Sequence, residues 1–161
     1  MDKLDKIYEI CTEHFKEMPC SIQYVPSQYL NQDLCIAALK NSNRTEWEER
    51  EIWKFIPDDM LTYKVCLAAA SSNRYALEHI PSAHKTAEIY MMAVKRCGKL
   101  LQYVPEDHRI KGLCDVAVRN NPDAIAYVPE EIQTDVIKLV KNSYQYIRIL
   151  FSDSKFKDCF I

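Results

Sequence analysis

The residues best equipped for chemistry in this sequence are its histidines and cysteines, and their spacing argues against catalysis by either. His84 and His108 each lie three residues after a proline, Pro81 and Pro105. A repeat produces that matched offset. It would set the two rings one above the other at ordinary helix-packing distance, roughly 10 Å, too far apart for a shared metal or a proton-transfer pair. Tyr29, Met60 and Ile132 hold the same place after their prolines, so the column reads as a partly buried face. The seven cysteines (11, 20, 35, 66, 97, 114 and 159) form no CxxC pair and no metal-like cluster with histidine. Cys11, Cys35, Cys66 and Cys114 share one position in four of the six expected long helices. A nucleophilic thiolate needs a base and an electropositive setting, which does not recur by repeat, so these four are expected to be small filler in a reduced core. Cys97 differs. It sits in a predicted turn beside Arg96 and Lys99, a setting that can activate a thiol. No metal, no cofactor and no enzymatic activity are expected.

Two features suit binding better than catalysis. Between residues 81 and 104 the basic residues Lys85, Lys95, Arg96 and Lys99 face Glu88 alone. Such a stretch is either a solvated face or a docking patch for an acidic partner, with nucleic acid as the alternative. A seven-residue insertion falls between Ala38 and Pro57, and the segment Asn43 to Trp53 there holds both tryptophans, Trp47 and Trp53. Thr45 there can cap a helix with Glu48 as its box partner. Trp53 is expected in the core. Trp47 has no counterpart elsewhere in the chain and is read as either core or a binding anchor. The candidate binding residues are therefore Trp47, Lys85, Lys95, Arg96 and Lys99.

The elements that position these residues come from a repeat. Phe55-Ile56-Pro57, His79-Ile80-Pro81, Tyr103-Val104-Pro105 and Tyr127-Val128-Pro129 recur every 24 residues, and Tyr24-Val25-Pro26 precedes them by 24 plus the seven inserted residues. Eight residues after each proline stand Leu34, Val65, Ile89, Leu113 and Ile137; twelve after, Ala38, Ala69, Ala93 and Ala117, with Lys141 in the last copy. Four before stand Ile22, Trp53, Leu77, Leu101 and Ile125. Stepping back 24 from Pro26 reaches Asp2, which puts Ile10 in the apolar column and Cys11 beside it.

Each unit reads as a long helix opened by its proline and a shorter helix that stops at the residue before the next proline. Neither can bury its apolar stripe alone, so the expected fold is all-α, an α-solenoid of about six stacked two-helix repeats. Its copies would be 1–25, 26–56 with the insertion, 57–80, 81–104, 105–128, and 129–161 with a truncated cap, in a single domain. The alanines are expected where helices approach closely, and the aromatic residues before Val-Pro between the layers.

Composition agrees. Of 161 residues, 48% are hydrophobic and 27% charged, too apolar for a disordered chain. Two glycines are too few for phosphate-cradling loops, and a net charge of −2 gives no general pull toward nucleic acid or anionic membrane. The start is charged, and no apolar run approaches the roughly 20 residues of a membrane span. A cytoplasmic location in the producing cell is expected, with delivery into a host cell left open.

The segments Leu100-Leu101-Gln102-Tyr103-Val104-Pro105-Glu106-Asp107, Val116-Ala117-Val118-Arg119-Asn120-Asn121 and Ala124-Ile125-Ala126-Tyr127-Val128-Pro129-Glu130-Glu131 resemble a family of 24-residue helical repeats of unknown function. That family occurs in bacteria, protists and large viruses. Its pattern runs Ala-Leu-x-Tyr-Ala-Ser-Glu-Glu-Leu, then Val-Leu-x-Ala-Val-x-x-Asn-Gly. The likeness covers residues 12 to 151. This chain puts proline where the family has serine, and it lacks most of the glycines. The resemblance implies architecture and no activity. The family's distribution implies a bacterial effector or a viral host-interaction or inhibitor protein, acting on another protein through its surface.

Overall fold

The computed structural model describes residues 3–43 and 45–140, so the C-terminal cap, Lys141 and Cys159 lie outside the described residues. Among the described residues the elements are all helical, without a strand. The α-helices are α1 (Lys3–Phe15), α2 (Gln32–Asn41), α3 (Glu46–Glu51), α4 (Tyr63–Ser72), α5 (Ala76–His79), α6 (Ala87–Arg96), α7 (Lys111–Asn120) and α8 (Glu130–Val140), with 3-10 segments between them. The chain forms two compact units, Met1–Ile89 and Tyr90–Ile161, divided within α6.

The 24-residue period survives in the elements. One-turn 3-10 segments open at Asp58, Ser82 and Glu106, each directly after its proline, and α4, α6 and α7 begin at Tyr63, Ala87 and Lys111. The 3-10 segments Gly98–Tyr103 and Pro122–Tyr127 keep the same step. One expectation is corrected here, because the proline does not open the long helix in these copies. Pro26 and Pro81 have extended ψ values of 139° and 144°, so the chain makes one 3-10 turn, extends again and only then enters the α-helix. A separate cap starts α2, where Asn31 Oδ1 accepts the Leu34 N–H at 2.9 Å. In the last copy α8 does begin directly after Pro129, at Glu130.

The columns sort by depth as the sequence implies. Leu34, Val65, Ile89, Leu113 and Ile137 are buried, and so are Ala38, Ala69, Ala93 and Ala117. The column four before each proline, Ile22, Trp53, Leu77, Leu101 and Ile125, is buried as well. Each large apolar side chain so removed from water contributes about 1.5–3 kcal/mol. In the first unit α1 packs on α2 and α2 on α4, with the Pro19–Tyr24 turn against both α1 and α2. In the second, α7 packs against Gly98–Tyr103, Pro122–Tyr127 and α8. Surface rungs join successive helices within each unit. Lys64 Nζ donates to Asp33 at 2.9 Å, Tyr63 OH to Glu88 at 2.6 Å, and Lys111 Nζ to Asp135 at 3.1 Å.

A second expectation is overturned. The aromatic residues before Val-Pro do not fill the space between layers, since Tyr24 is 78% and Tyr103 48% exposed. The β-branched neighbours Ile56, Ile80, Val104 and Val128 are buried instead. These neighbours are extended (ψ 111° to 132°), and along an extended backbone consecutive side chains point to opposite sides. When the branched residue faces in, the aromatic one faces out.

Candidate functional site

The seven-residue insertion builds the most specific local structure in the first unit. Thr45 Oγ1 accepts the Glu48 N–H at 3.1 Å while Glu48 Oε2 accepts the Thr45 N–H at 3.2 Å, the expected capping box. From that start α3 is held on several sides. Tyr75 OH donates to Glu46 at 2.6 Å, and the Arg50 guanidinium lies 4.1 Å over the Tyr75 ring. Glu49 is fully buried and takes Arg74 Nε at 2.5 Å on its carboxylate.

Below α3 lies a polar knot that sequence reasoning did not find. Buried Asn73 donates through Nδ2 to the Glu49 carbonyl at 2.7 Å and to Ser42 Oγ at 3.3 Å. Its Oδ1 accepts the Trp53 indole N–H at 3.3 Å and the Tyr75 N–H at 2.8 Å. Trp53 stacks on His79 at 4.8 Å with an interplanar angle of 14°, which fixes it in the core as expected. The signal was available. Asn73 occupies the same place after Pro57 that Asn121 does after Pro105, and Asn121 Oδ1 likewise accepts a backbone N–H, that of Asp123, at 3.0 Å.

Held this firmly, α3 presents Trp47 to solvent with 62% of its surface exposed. The indole walls a groove of about 180 Å³ with Met18, Pro19, Cys20 and Tyr24. Met18 is itself 58% exposed. Tyr24 also walls a second groove, of about 270 Å³, against Ile7, Ile10, Cys11 and His14 of α1. Ile10 stands in the apolar column that is buried in every later copy, yet it is 60% exposed. Large apolar side chains in contact with water at one place are the usual mark of an interaction surface. Sequence reasoning singled out Trp47 and missed Met18, Tyr24 and Ile10 as its company.

The basic candidates divide between the two units. Lys85 lies in the first, half-buried. Lys95 and Arg96 end α6 in the second, where cations complement the helix dipole, and Lys99 Nζ lies 3.3 Å from Asp123. These four are therefore not gathered into one site by the contacts of either unit. The backbone at Lys95 is in use too, since its carbonyl accepts Asn120 Nδ2 at 3.0 Å.

The residues with catalytic potential are engaged structurally. His84 meets the Tyr63 ring at 6.3 Å edge-on, and His108 meets Tyr90 at 5.2 Å. Burial pushes the Cys35 and Cys114 thiols up to about 11, Cys35 with help from the Asp59 charge, so neither is a thiolate nucleophile near neutral pH. Cys20 is likewise raised, by burial first and then by the charges of Glu48 and Glu51. Cys97 is half-buried at the start of the Gly98–Tyr103 turn. Among the described residues no three His, Cys, Asp or Glu side chains are grouped as a metal ion would require, and no helix is long and apolar enough to cross a membrane.

Neither a family model, nor a characterised protein, nor a solved structure matches this chain.

Proposed function

We propose that this chain is a non-catalytic protein-binding module, an α-solenoid of about six 24-residue repeats that docks a partner protein on the apolar surface around Trp47. The observation that carries the reading is the mismatch at α3. A tryptophan stands largely in water on a helix whose every other feature, capping box, Tyr75 contact, Glu49–Arg74 pair and Asn73 knot, is fixed. Folding gains little from that indole. Binding gains a rigid anchor with little ordering cost. The solenoid reading draws on the 24-residue recurrence of the elements and on the buried alanine and apolar columns. The resemblance around Tyr103-Val104-Pro105 and Tyr127-Val128-Pro129 favours an effector or host-interaction protein that acts in the cytoplasm of the producing cell or of a host. Lys95 and Arg96 would speed association with an acidic partner. The Lys99–Asp123 pair weakens the case for nucleic acid as the partner.

The test is affinity capture from the natural host cell with the wild-type chain, Trp47→Ala, and a charge-reversed Lys95→Glu/Arg96→Glu chain. The proposal expects a discrete protein that is lost with Trp47→Ala and bound more slowly by the charge variant. Recovery of nucleic acid that is released steeply by salt, with Trp47→Ala unaffected, would move the function to the basic stretch.

A further inference from the structure

The open face of α1 is a short heptad seam. Ile7, Ile10 and His14 follow one another at spacings of three and four, the rhythm of facing a and d positions. Ile10 is 60% exposed and His14 is exposed too, whereas Ile7 is half-buried and lines, with buried Phe15, the groove that runs from these residues toward Tyr24. Lys6 and Glu13, seven residues apart and both exposed, share one flank of the seam, the g position when Ile7 is a. Glu13 has an exposed partner in Lys16 at 2.5 Å, a contact worth little in water and readily exchanged. In an antiparallel pair of helices g meets g, so two copies of this face would set Lys6 of each against Glu13 of the other. Ile7 of each would then meet Ile10 of the other. The seam is complementary to itself in shape and in charge only in the antiparallel sense.

His14 decides which kind of self-contact is possible. It occupies the column that is alanine in α2, α4, α6 and α7, where helices approach closely. An imidazole there keeps another repeat from stacking on α1 at the spacing used inside the chain. The face therefore does not extend the array end to end. It closes it.

We infer that the α1 face is a two-fold interface, on which a second copy of this chain seats its own α1 antiparallel, with Ile7 and Ile10 at the centre and reciprocal Lys6–Glu13 pairs at the flanks. Its reach is set by one helix of 13 residues, about 20 Å long, which places it among small interfaces with weak, concentration-dependent association. It uses the groove between α1 and Tyr24, and because Tyr24 also walls the groove beside Trp47, a second copy on α1 and a partner at Trp47 border one another.

Sedimentation of the full chain tests this. The wild type should pass from monomer to dimer with rising concentration and stop there, with the weak association of a small interface. Ile10→Glu should stay monomeric with an unchanged melting curve. Lys6→Glu alone, or Glu13→Lys alone, sets like charges together and should weaken the dimer by about tenfold or more. Mixing those two variants restores both pairs, so the mixture should form heterodimer where neither variant dimerises. A chain that stays monomeric up to the highest concentration it reaches in solution, a dimer that survives Ile10→Glu, a mixture that gains nothing, or oligomers that keep growing would each overturn the inference. Growth without limit would mean that repeats stack on α1 after all.

Discussion

Gly98 and Gly112, the two glycines of the chain, make a paired prediction because their surroundings are opposite. A Cβ added to Gly98 would lie 2.2 Å from the Ala117 carbonyl oxygen and 3.0 Å from the Asn121 nitrogen, both backbone atoms. An ordinary carbon–oxygen contact is about 3.5 Å, so the turn and the C-terminal end of α7 would have to part by roughly 1 Å. That movement strains the bond from the Gly98 N–H to Asn120 Oδ1, now 2.8 Å, and opens the packing beside buried Leu100 and Leu101. Overpacking of this kind costs about 1–3 kcal/mol, and loss of the hydrogen bond about 1 kcal/mol more. The smaller unfolded-state entropy of alanine returns about 0.4–1 kcal/mol. Gly98→Ala should therefore destabilise by about 1–3.5 kcal/mol. At Gly112, in the exposed first turn of α7, an added Cβ meets nothing within 4 Å. Gly112→Ala should stabilise by about 0.5–1 kcal/mol. For a chain of this size the shifts in Tm are roughly 2–4 °C per kcal/mol, downward for the first and upward for the second. Thermal and urea unfolding followed by circular dichroism read both. A Gly98→Ala protein that melts with the wild type would mean that the Gly98–Tyr103 turn does not sit on α7 as described, and the packing of the second unit would have to be redrawn.

The two tryptophans should also part company. Trp53→Ala removes a 7%-exposed indole that stacks on His79 and donates to Asn73, and should cost about 3–5 kcal/mol, whereas Trp47→Ala should stay within about 0.5 kcal/mol of wild type in urea unfolding. Burial lowers the His79 imidazole below its ordinary value near 6.5, against an opposing pull from Glu78. Its neutral form is thus favoured by folding. That contribution is present above about pH 6.5 and is lost as the pH falls from there through the folded-state value. An NMR titration should place His79 below a free imidazole, and His79→Phe should flatten the fall in stability below pH 6.5. Reaction with a thiol reagent in the native state should be slow at Cys35, Cys66 and Cys114, which are buried and raised, and faster at half-buried Cys11 and Cys97.

Much of the fold was legible because the repeat writes its contacts in columns. From Leu34 and Ala38 onward the described members of the apolar and alanine columns read from spacing are buried, and the capping box at Thr45 forms as its residue types require. Two things were not legible. A proline that favours the first turn of a helix also favours an extended ψ, and spacing cannot say which of the two opens a 3-10 turn and which an α-helix. Nor does the period tell Tyr103 from Val104, because both keep the 24-residue register while only one faces in. Of the candidate site, Trp47 was legible because it breaks the repeat. Ile10 was hidden because it obeys the repeat, yet it is 60% exposed where the later members of its column are buried. The Asn73 knot was hidden because its partners, Ser42, Glu49 and Trp53, lie up to 31 residues away.

The central claim is that the surface around Trp47 touches another protein. A photo-crosslinking amino acid placed at position 47, with one at exposed Asp58 as control, reads that contact inside the natural host cell. The account predicts a discrete protein adduct from position 47 that is absent from position 58 and is competed away by untagged wild-type chain. Adducts of equal yield from both positions, or none from 47 while Lys95 or Arg96 crosslinks to nucleic acid, would contradict it.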